Sequence, residues 1–219
     1  PEKADWADIS QRLQANAGFA VSEVARRGSE LFVTGEPFRY YYPAQGTGRA
    51  TRILDNALGP GVDWFTLVST REGMPVVQTS VHRPRFRKLL AHDITLQDFR
   101  RSVEHAAPTG NTREVLYRAP LDKYRGGLGF GYQQSIGGPD AFILYQVNAN
   151  YGAEYHFTRH VWASTLVSAN LLNNYDQFKF DAPSRLPRVR TWIREYLVTS
   201  PVNLVNLQLN AAGRLAPDV

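Results

Sequence analysis

A long alternation of apolar and polar side chains in the second half of the chain limits its fold more than any other feature. From residue 141 to 157 the odd positions are mostly large and apolar, and from 146 onward the even positions are polar or small. A period of two places alternate side chains on opposite faces of a pleated strand. At 17 residues, the segment is far longer than the roughly 5–6 residues usual in globular sheets. We therefore predict one long strand over residues 141–157.

The neighbouring segments repeat this pattern. We predict four more antiparallel strands, joined in sequence, over residues 124–133, 160–172, 189–198 and 203–212. Thr158-Arg159 provides a tight connection, whereas residues 172–188 form a long polar loop, and this asymmetry is typical of outer-membrane barrels. The predicted fold of this half is part of an outer-membrane-type β-barrel. About five strands fit, whereas a closed single-chain barrel needs at least about eight, so we expect a segment cut from a longer protein.

In such a barrel, each strand has one side toward lipid and one toward the lumen. The residues expected to face the lumen are Gln146, Asn148, Asn150, Ser164, Ser168, Asn206, Gln208 and Asn210. Those expected to face lipid are Val147, Ala149, Tyr151, Val161, Val167, Val205, Leu207 and Leu209. Aromatic residues near strand ends fit an interfacial girdle; these are Tyr124, Tyr155, Trp162 and Trp192.

Composition excludes several classes of protein. No run approaches the roughly 20 apolar residues that a membrane helix needs. Cysteine is absent, so disulfides and thiolate metal sites are excluded. The net charge of +5 is not concentrated on one element, so we expect no nucleic-acid partner. Residues 1–110 hold 14 basic and 12 acidic residues, but residues 124–172 hold four charged residues, which indicates two domains in different environments.

The first half has the pattern of a small α+β layer. Helices are predicted over residues 6–16 and 47–58, and strands over 19–26, 30–40, 62–70 and 74–82. The order ββαββ after the first helix suggests a helix that covers one face of a sheet. Residues 83–106 are predicted to be helical and connecting. We divide the chain into an α+β module (1–107), a linker (108–123) and the partial barrel (124–219).

Several short motifs stand out in the second half, namely Ile136-Gly137-Gly138-Pro139-Asp140-Ala141-Phe142, Tyr145-Gln146, Ala153-Glu154-Tyr155, Asn174-Tyr175-Asp176 and Leu186-Pro187-Arg188-Val189-Arg190. They resemble the YjbH/GfcD family of bacterial outer-membrane proteins, which are encoded with exopolysaccharide or capsule genes. Gly35-Glu36, Arg39-Tyr40 and Gly48-Arg49-Ala50 extend the resemblance to the first half. It covers residues 13–217 and implies a role in secretion or assembly of extracellular polysaccharide, with α+β modules in the periplasm.

No catalytic, cofactor or metal constellation is recognisable. Gly127-Leu128-Gly129-Phe130-Gly131 is interpreted as strand rather than as a phosphate loop, because no helix follows it. Arg83, Arg85, Arg87 and Lys88 are interpreted as a solvated helix face, with an acidic polysaccharide or lipid headgroup as the alternative. Possible polysaccharide contacts lie in the long loop, although a merely solvated loop has the same composition; these are Tyr175, Asp176, Phe178, Lys179 and Phe180.

The sequence thus predicts a non-enzymatic outer-membrane protein with its N-terminal module in the periplasm, acting in exopolysaccharide or capsule export or assembly. Its expected partners are outer-membrane lipid, exopolysaccharide and other proteins of the export machinery. The alternative is a soluble periplasmic β-protein that binds or cleaves polysaccharide. In that protein the apolar faces would pack sheet against sheet, and alternation alone does not distinguish the two.

Overall fold

Ten strands in two sheets, with four helices, make up most of the chain that the computed structural model describes, namely residues 4–110, 112–136, 142–177 and 201–213. Each sheet belongs to its own compact unit. The first unit contains the residues up to Leu121, and the second contains Asp122–Ala211. The mixed α+β character predicted from the sequence is confirmed.

The first unit is built around a six-stranded sheet with the order β5-β4-β3-β2-β1-β6. Its strands are β1 (Phe19–Arg27), β2 (Glu30–Pro37), β3 (Trp64–Arg71), β4 (Met74–His82), β5 (Glu104–Ala106) and β6 (Glu114–Arg118). Neighbours are antiparallel except β2 and β3, which are parallel. A parallel pair needs a crossover connection, and the helix between β2 and β3 supplies it, as the predicted ββαββ order requires.

Four helices accompany this sheet in the described chain. They are α1 (Trp6–Arg12), which continues into a π-helical turn (Leu13–Ala17), α2 (Pro43–Ala57), α3 (Arg83–Leu90) and α4 (Leu96–Arg101). The main core joins α1 and α2 to the sheet through Trp6, Ile9, Leu13, Val24, Leu31, Val33, Leu54, Phe65 and Leu67. Gly18 ends the π-helical turn with φ at +60°, and a Cβ there would collide with Arg39. The position therefore requires glycine.

Two short edge strands differ from the prediction. β5 lies at the end of the segment expected to be helical, and β6 lies inside the predicted linker 108–123. They have three and five residues, which is too short for an alternation to be visible in the sequence. Each forms by adding backbone hydrogen bonds to an edge that the core strands leave open, β5 to β4 and β6 to β1.

Residues between these two edge strands contact the second face of the sheet. The Thr109 N–H donates to the Gln78 side chain, and Arg113 stacks 3.7 Å from the Phe32 ring centroid. Phe32 and Thr66 are fully buried on this face. Desolvation lowers the pKa of Arg113, and nearby Arg27 lowers it further.

Arg83 closes the core at the end of α2, contrary to its interpretation as part of a solvated face. It is 3% exposed, and its guanidinium pairs with the Asp55 carboxylate at 2.6 Å. It also donates to the carbonyls of Leu58 and Gly59, which α2 leaves without helical partners at its C-terminus. Arg85 and Lys88 are exposed on the same helix, as predicted.

The second unit is a four-stranded antiparallel sheet with the order β10-β9-β8-β7. Its strands are β7 (Tyr124–Ile136), β8 (Ile143–His156), β9 (Val161–Asn173) and β10 (Val202–Ala211). They confirm four of the five predicted strands, and the fifth, residues 189–198, lies outside the described residues. In the described part of the chain β7 and β10 are the sheet edges, so no closed barrel is present there. Over the same ranges, none of the helices is both long and apolar enough to cross a membrane.

The role of Arg83 can be tested by replacing it with Ala. The change removes the donor of two carbonyls at the end of α2 and the buried partner of Asp55, which keeps its contact with the exposed Arg87, so the free energy of unfolding of the first unit should fall by about 1–3 kcal/mol. Native-state hydrogen exchange of the buried β3 amides measures it. Arg85→Ala, two residues away and exposed, should change it by no more than about 0.5 kcal/mol. Equal effects of the two substitutions would contradict the assignment.

Candidate functional site

The register of the second sheet separates its side chains into two faces. On one face Leu128 lies opposite Tyr151, and Phe130 lies opposite Ala149. Directly opposed residues of an antiparallel pair point to the same side, so the large apolar side chains of β7 and β8 form one apolar face. The alternate positions form a polar face, on which Gly129 lies opposite Asn150.

Two bulges keep both faces in phase along the whole sheet. Between β8 and β9 the register skips Leu171, and between β9 and β10 it skips Val205. A bulge inserts one extra residue and so restores an alternation that would otherwise slip by one. Val205, predicted to face lipid, is thus an unpaired bulge residue, and Leu204 takes the paired position opposite Val167 on the apolar face.

All eight residues predicted to face a lumen share the polar face. They include Asn210, whose amide donates to the Ser164 hydroxyl at 3.2 Å. Trp162 also lies on this face, stacked on His156 with ring centroids 5.9 Å apart, so its assignment to the aromatic girdle was wrong. Its even position in the alternation places it among the polar residues.

Burial on this sheet is inverted relative to a water-soluble domain. Gln146 and Asn148 on the polar face are 6% and 8% exposed. Leu128 and Leu207 on the apolar face are 66% and 70% exposed. Other exposed apolar side chains of this unit include Tyr124, Phe130, Tyr132, Tyr151, Tyr155, Phe157, Leu204 and Leu209. On β8 the sheltered positions are therefore on the polar face, at Gln146 and Asn148.

Aromatic residues gather where β8 turns into β9. The Tyr124 hydroxyl is hydrogen-bonded to the Tyr151 hydroxyl, and Tyr155 packs edge to face on Phe157 at 5.2 Å. Gly126 permits the tyrosine contact, because a Cβ there would lie 2.7 Å from the Tyr124 hydroxyl. Tyr124 and Tyr155 thus lie together at one end of the apolar face, as the sequence predicted.

A groove of about 430 Å³ lies at the sheet surface. It is lined by Arg125, Gly126, Gly127, Gly152, Ala153, Glu154, Ser164, Thr165, Leu166 and Asn206. Arg125 and Glu154 are directly opposed on the polar face, and the sequence analysis did not single them out. Only the pairing register, which the sequence does not state, brings them together. Among the described residues no group of three or more His, Asp or Glu side chains is placed to hold a metal ion.

The predicted polysaccharide contacts are described in part. Tyr175 and Asp176 lie in a 3-10 turn after β9, with Tyr175 half-buried and Asp176 exposed. Phe178, Lys179 and Phe180 lie outside the described residues. The turn is tied to the start of β8 by Asn174, whose side chain accepts from the Tyr145 N–H at 2.7 Å and donates to the Ile143 carbonyl at 2.8 Å.

Asn174 should therefore stabilise the turn against the start of β8. Asn174→Ala removes the acceptor of the Tyr145 amide, whose hydrogen exchange should speed up by an amount corresponding to about 1–3 kcal/mol. Asn174→Asp keeps an acceptor oxygen and should preserve most of the protection. Exchange measured by NMR or mass spectrometry provides the comparison. Equal protection of this amide in the Ala variant and the parent would show that the side chain does not close the turn.

Comparison with known proteins identifies the family of the chain. The YjbH family, described as exopolysaccharide biosynthesis protein YbjH, matches residues 1–219. A protein named uncharacterized lipoprotein YjbH, from Escherichia coli strain K12, is 36% identical over 208 residues. That alignment covers 90% of this chain and 29% of the relative, so the chain spans less than a third of the relative's length. No solved structure matches the chain. The resemblance seen in the short motifs is confirmed, and the chain belongs to the YjbH family.

Proposed function

We propose that the second unit forms part of an outer-membrane β-barrel and that the chain acts, without enzymatic activity, in the export or assembly of exopolysaccharide or capsule. The observation that carries this proposal is the inverted sheet, with Gln146 and Asn148 buried while Leu128 and Leu207 are exposed. A membrane barrel has lipid on the outside and a polar interior, which is the environment that such a sheet requires.

Strand lengths support the same assignment. The four strands have 13, 14, 13 and 10 residues. A tilted strand needs about 9–11 residues to span the hydrocarbon layer, so all four are long enough. The rival proposal, a soluble sandwich, would bury the apolar face against a second sheet. In the described structure that face is open instead.

The lengths of the connections indicate which end of the sheet faces the periplasm. Residues 157–160 connect β8 to β9 by a tight turn, whereas the connections at the opposite end, 137–142 and 174–201, are longer. Outer-membrane barrels have short periplasmic turns and longer extracellular loops. We therefore assign the tight-turn end to the periplasm. β7 begins at this end, because Tyr124 lies opposite Tyr155, so the chain that precedes β7 enters the sheet from the periplasm.

The envelope assignment is also supported by the relatives. The family description names exopolysaccharide biosynthesis, and the similar protein of Escherichia coli is named a lipoprotein. We infer outer-membrane lipid and other proteins of the export machinery as partners. The absence of enzymatic activity is part of the same proposal.

The membrane assignment can be tested with two adjacent arginine substitutions in the full-length gene product. Leu207→Arg places a charge on the apolar face near the middle of β10, and it should cost about 2–4 kcal/mol of insertion free energy if that face contacts lipid. Gln208→Arg is the matched control on the polar face and should insert normally. Membrane yield and heat-modifiable mobility on gels report insertion.

The two variants would behave alike if the apolar face did not contact lipid. A parent protein that is released from membranes without detergent would also contradict the barrel, and it would favour the soluble alternative.

A second test concerns the predicted polysaccharide contacts. At the extracellular end, Tyr175, Phe178 and Phe180 would offer aromatic platforms to sugar rings, with Asp176 and Lys179 as hydrogen-bonding partners. Changing the three aromatic residues to Ala should lower the amount of secreted polysaccharide at an unchanged surface level of the protein. Gln177→Ala, in the same turn, is the control and should leave secretion unchanged. Normal secretion from the triple variant would remove the loop from the proposal without affecting the barrel.

A further inference from the structure

The polar face of the second sheet carries almost no charge. On its four described strands the formally charged side chains are Arg125 and Glu154, which occupy directly opposed positions and have opposite signs. The remaining polar positions are mostly amides and hydroxyls, from Gln133, Gln146, Asn148, Asn150, Ser164, Ser168, Asn170, Asn203, Asn206, Gln208 and Asn210. The face is therefore both electrically balanced and rich in hydrogen-bonding groups.

This composition discriminates between classes of polymer. Pores for anions and phosphates are lined with Arg or Lys, whose charges attract and desolvate the anion. An amide has both a donor and an acceptor, as does a sugar hydroxyl. A surface of amides thus satisfies hydroxyl groups in either direction, but it offers a carboxylate or phosphate no opposite charge to offset the cost of its dehydration.

Next to Asn150 the face is open. A Cβ added at Gly127 or Gly129 would meet no atom within 4 Å, so β7 presents bare backbone there. Gly127 and Asn206 line the groove of about 430 Å³, which is shallow and open to solvent. The groove thus offers both space and hydrogen-bonding groups.

We infer that the polar face of the second sheet binds an uncharged, hydroxyl-rich polysaccharide, with Asn206 among the groups that hydrogen-bond its hydroxyls. The inference rests on the proposed function and adds the chemical class of the polymer. Arg125 and Glu154 have opposite formal charges, so the described lining of the groove has no net charge.

The test compares the two signs of charge at one position. Asn206→Asp is nearly isosteric, and Asn206→Lys introduces the opposite charge in the same groove. In the full-length gene product, both variants should lower the cell's own secreted polysaccharide, each by about 2- to 10-fold, as expected for the loss of one hydrogen bond. His160→Asp and His160→Lys, in the exposed tight turn, are the matched controls and should leave secretion unchanged. Surface level and heat-modifiable mobility are measured on every variant.

Each outcome decides between the alternatives. Equal losses in the two Asn206 variants, at normal surface level, support an uncharged polymer. A loss in the Asp variant with unchanged or higher secretion in the Lys variant shows an acidic polymer and overturns the inference. Normal secretion in both overturns contact at this face. In each of these cases normal insertion leaves the barrel proposal standing, whereas failure of the parent protein to behave as a membrane barrel refutes that proposal separately.

Discussion

The apolar face of the second sheet has to be covered by something other than water, and the environment that we assign to the second unit depends on this constraint. Among the described residues, nineteen of the twenty buried apolar side chains belong to the first unit, and Leu144 is the exception. The second unit instead holds seventeen of the twenty-five exposed large apolar side chains. Burial of apolar area is the main stabilising term of a water-soluble fold. The first unit has such a core, whereas the sheet of the second unit does not provide one on its apolar side.

The two bulges show how strongly this division of faces is maintained. Leu171 and Val205 each interrupt the pairing, yet every paired position before and after them keeps its side of the sheet. Without a bulge, two consecutive apolar residues such as Leu204 and Val205 would invert all later side chains. A sheet exposed to the same solvent on both sides would gain nothing from such a correction. Two different environments on its two sides make the correction necessary.

The sequence was sufficient for the parts of the fold that rest on periodicity. Alternation identified β7 to β10 and the residues that share the polar face, and the ββαββ order located the central elements of the first unit. What it could not identify depends on tertiary pairing. β5 and β6 form only because open edges of β4 and β1 accept them, and Arg83 is buried only because α2 ends beside it. In the candidate site, the opposition of Arg125 and Glu154 and the anchoring by Asn174 follow from register, which requires the assembled sheet. The consecutive apolar residues at 171–172 and 204–205 break the alternation, and these breaks are the signal of the two bulges in the sequence.

Spin labels attached in the membrane-embedded protein would show whether the apolar face of the second sheet contacts lipid. The 219-residue chain contains no cysteine, so a single cysteine placed at 206, 207, 208 or 209 adds one labelling site to it. Accessibility to oxygen, which concentrates in lipid, and to a water-soluble nickel complex would then be measured along β10. If lipid covers the apolar face, labels at 207 and 209 are accessible to oxygen, and labels at 206 and 208 are accessible to the nickel complex. Equal nickel accessibility at all four positions, or the opposite phase, would contradict it.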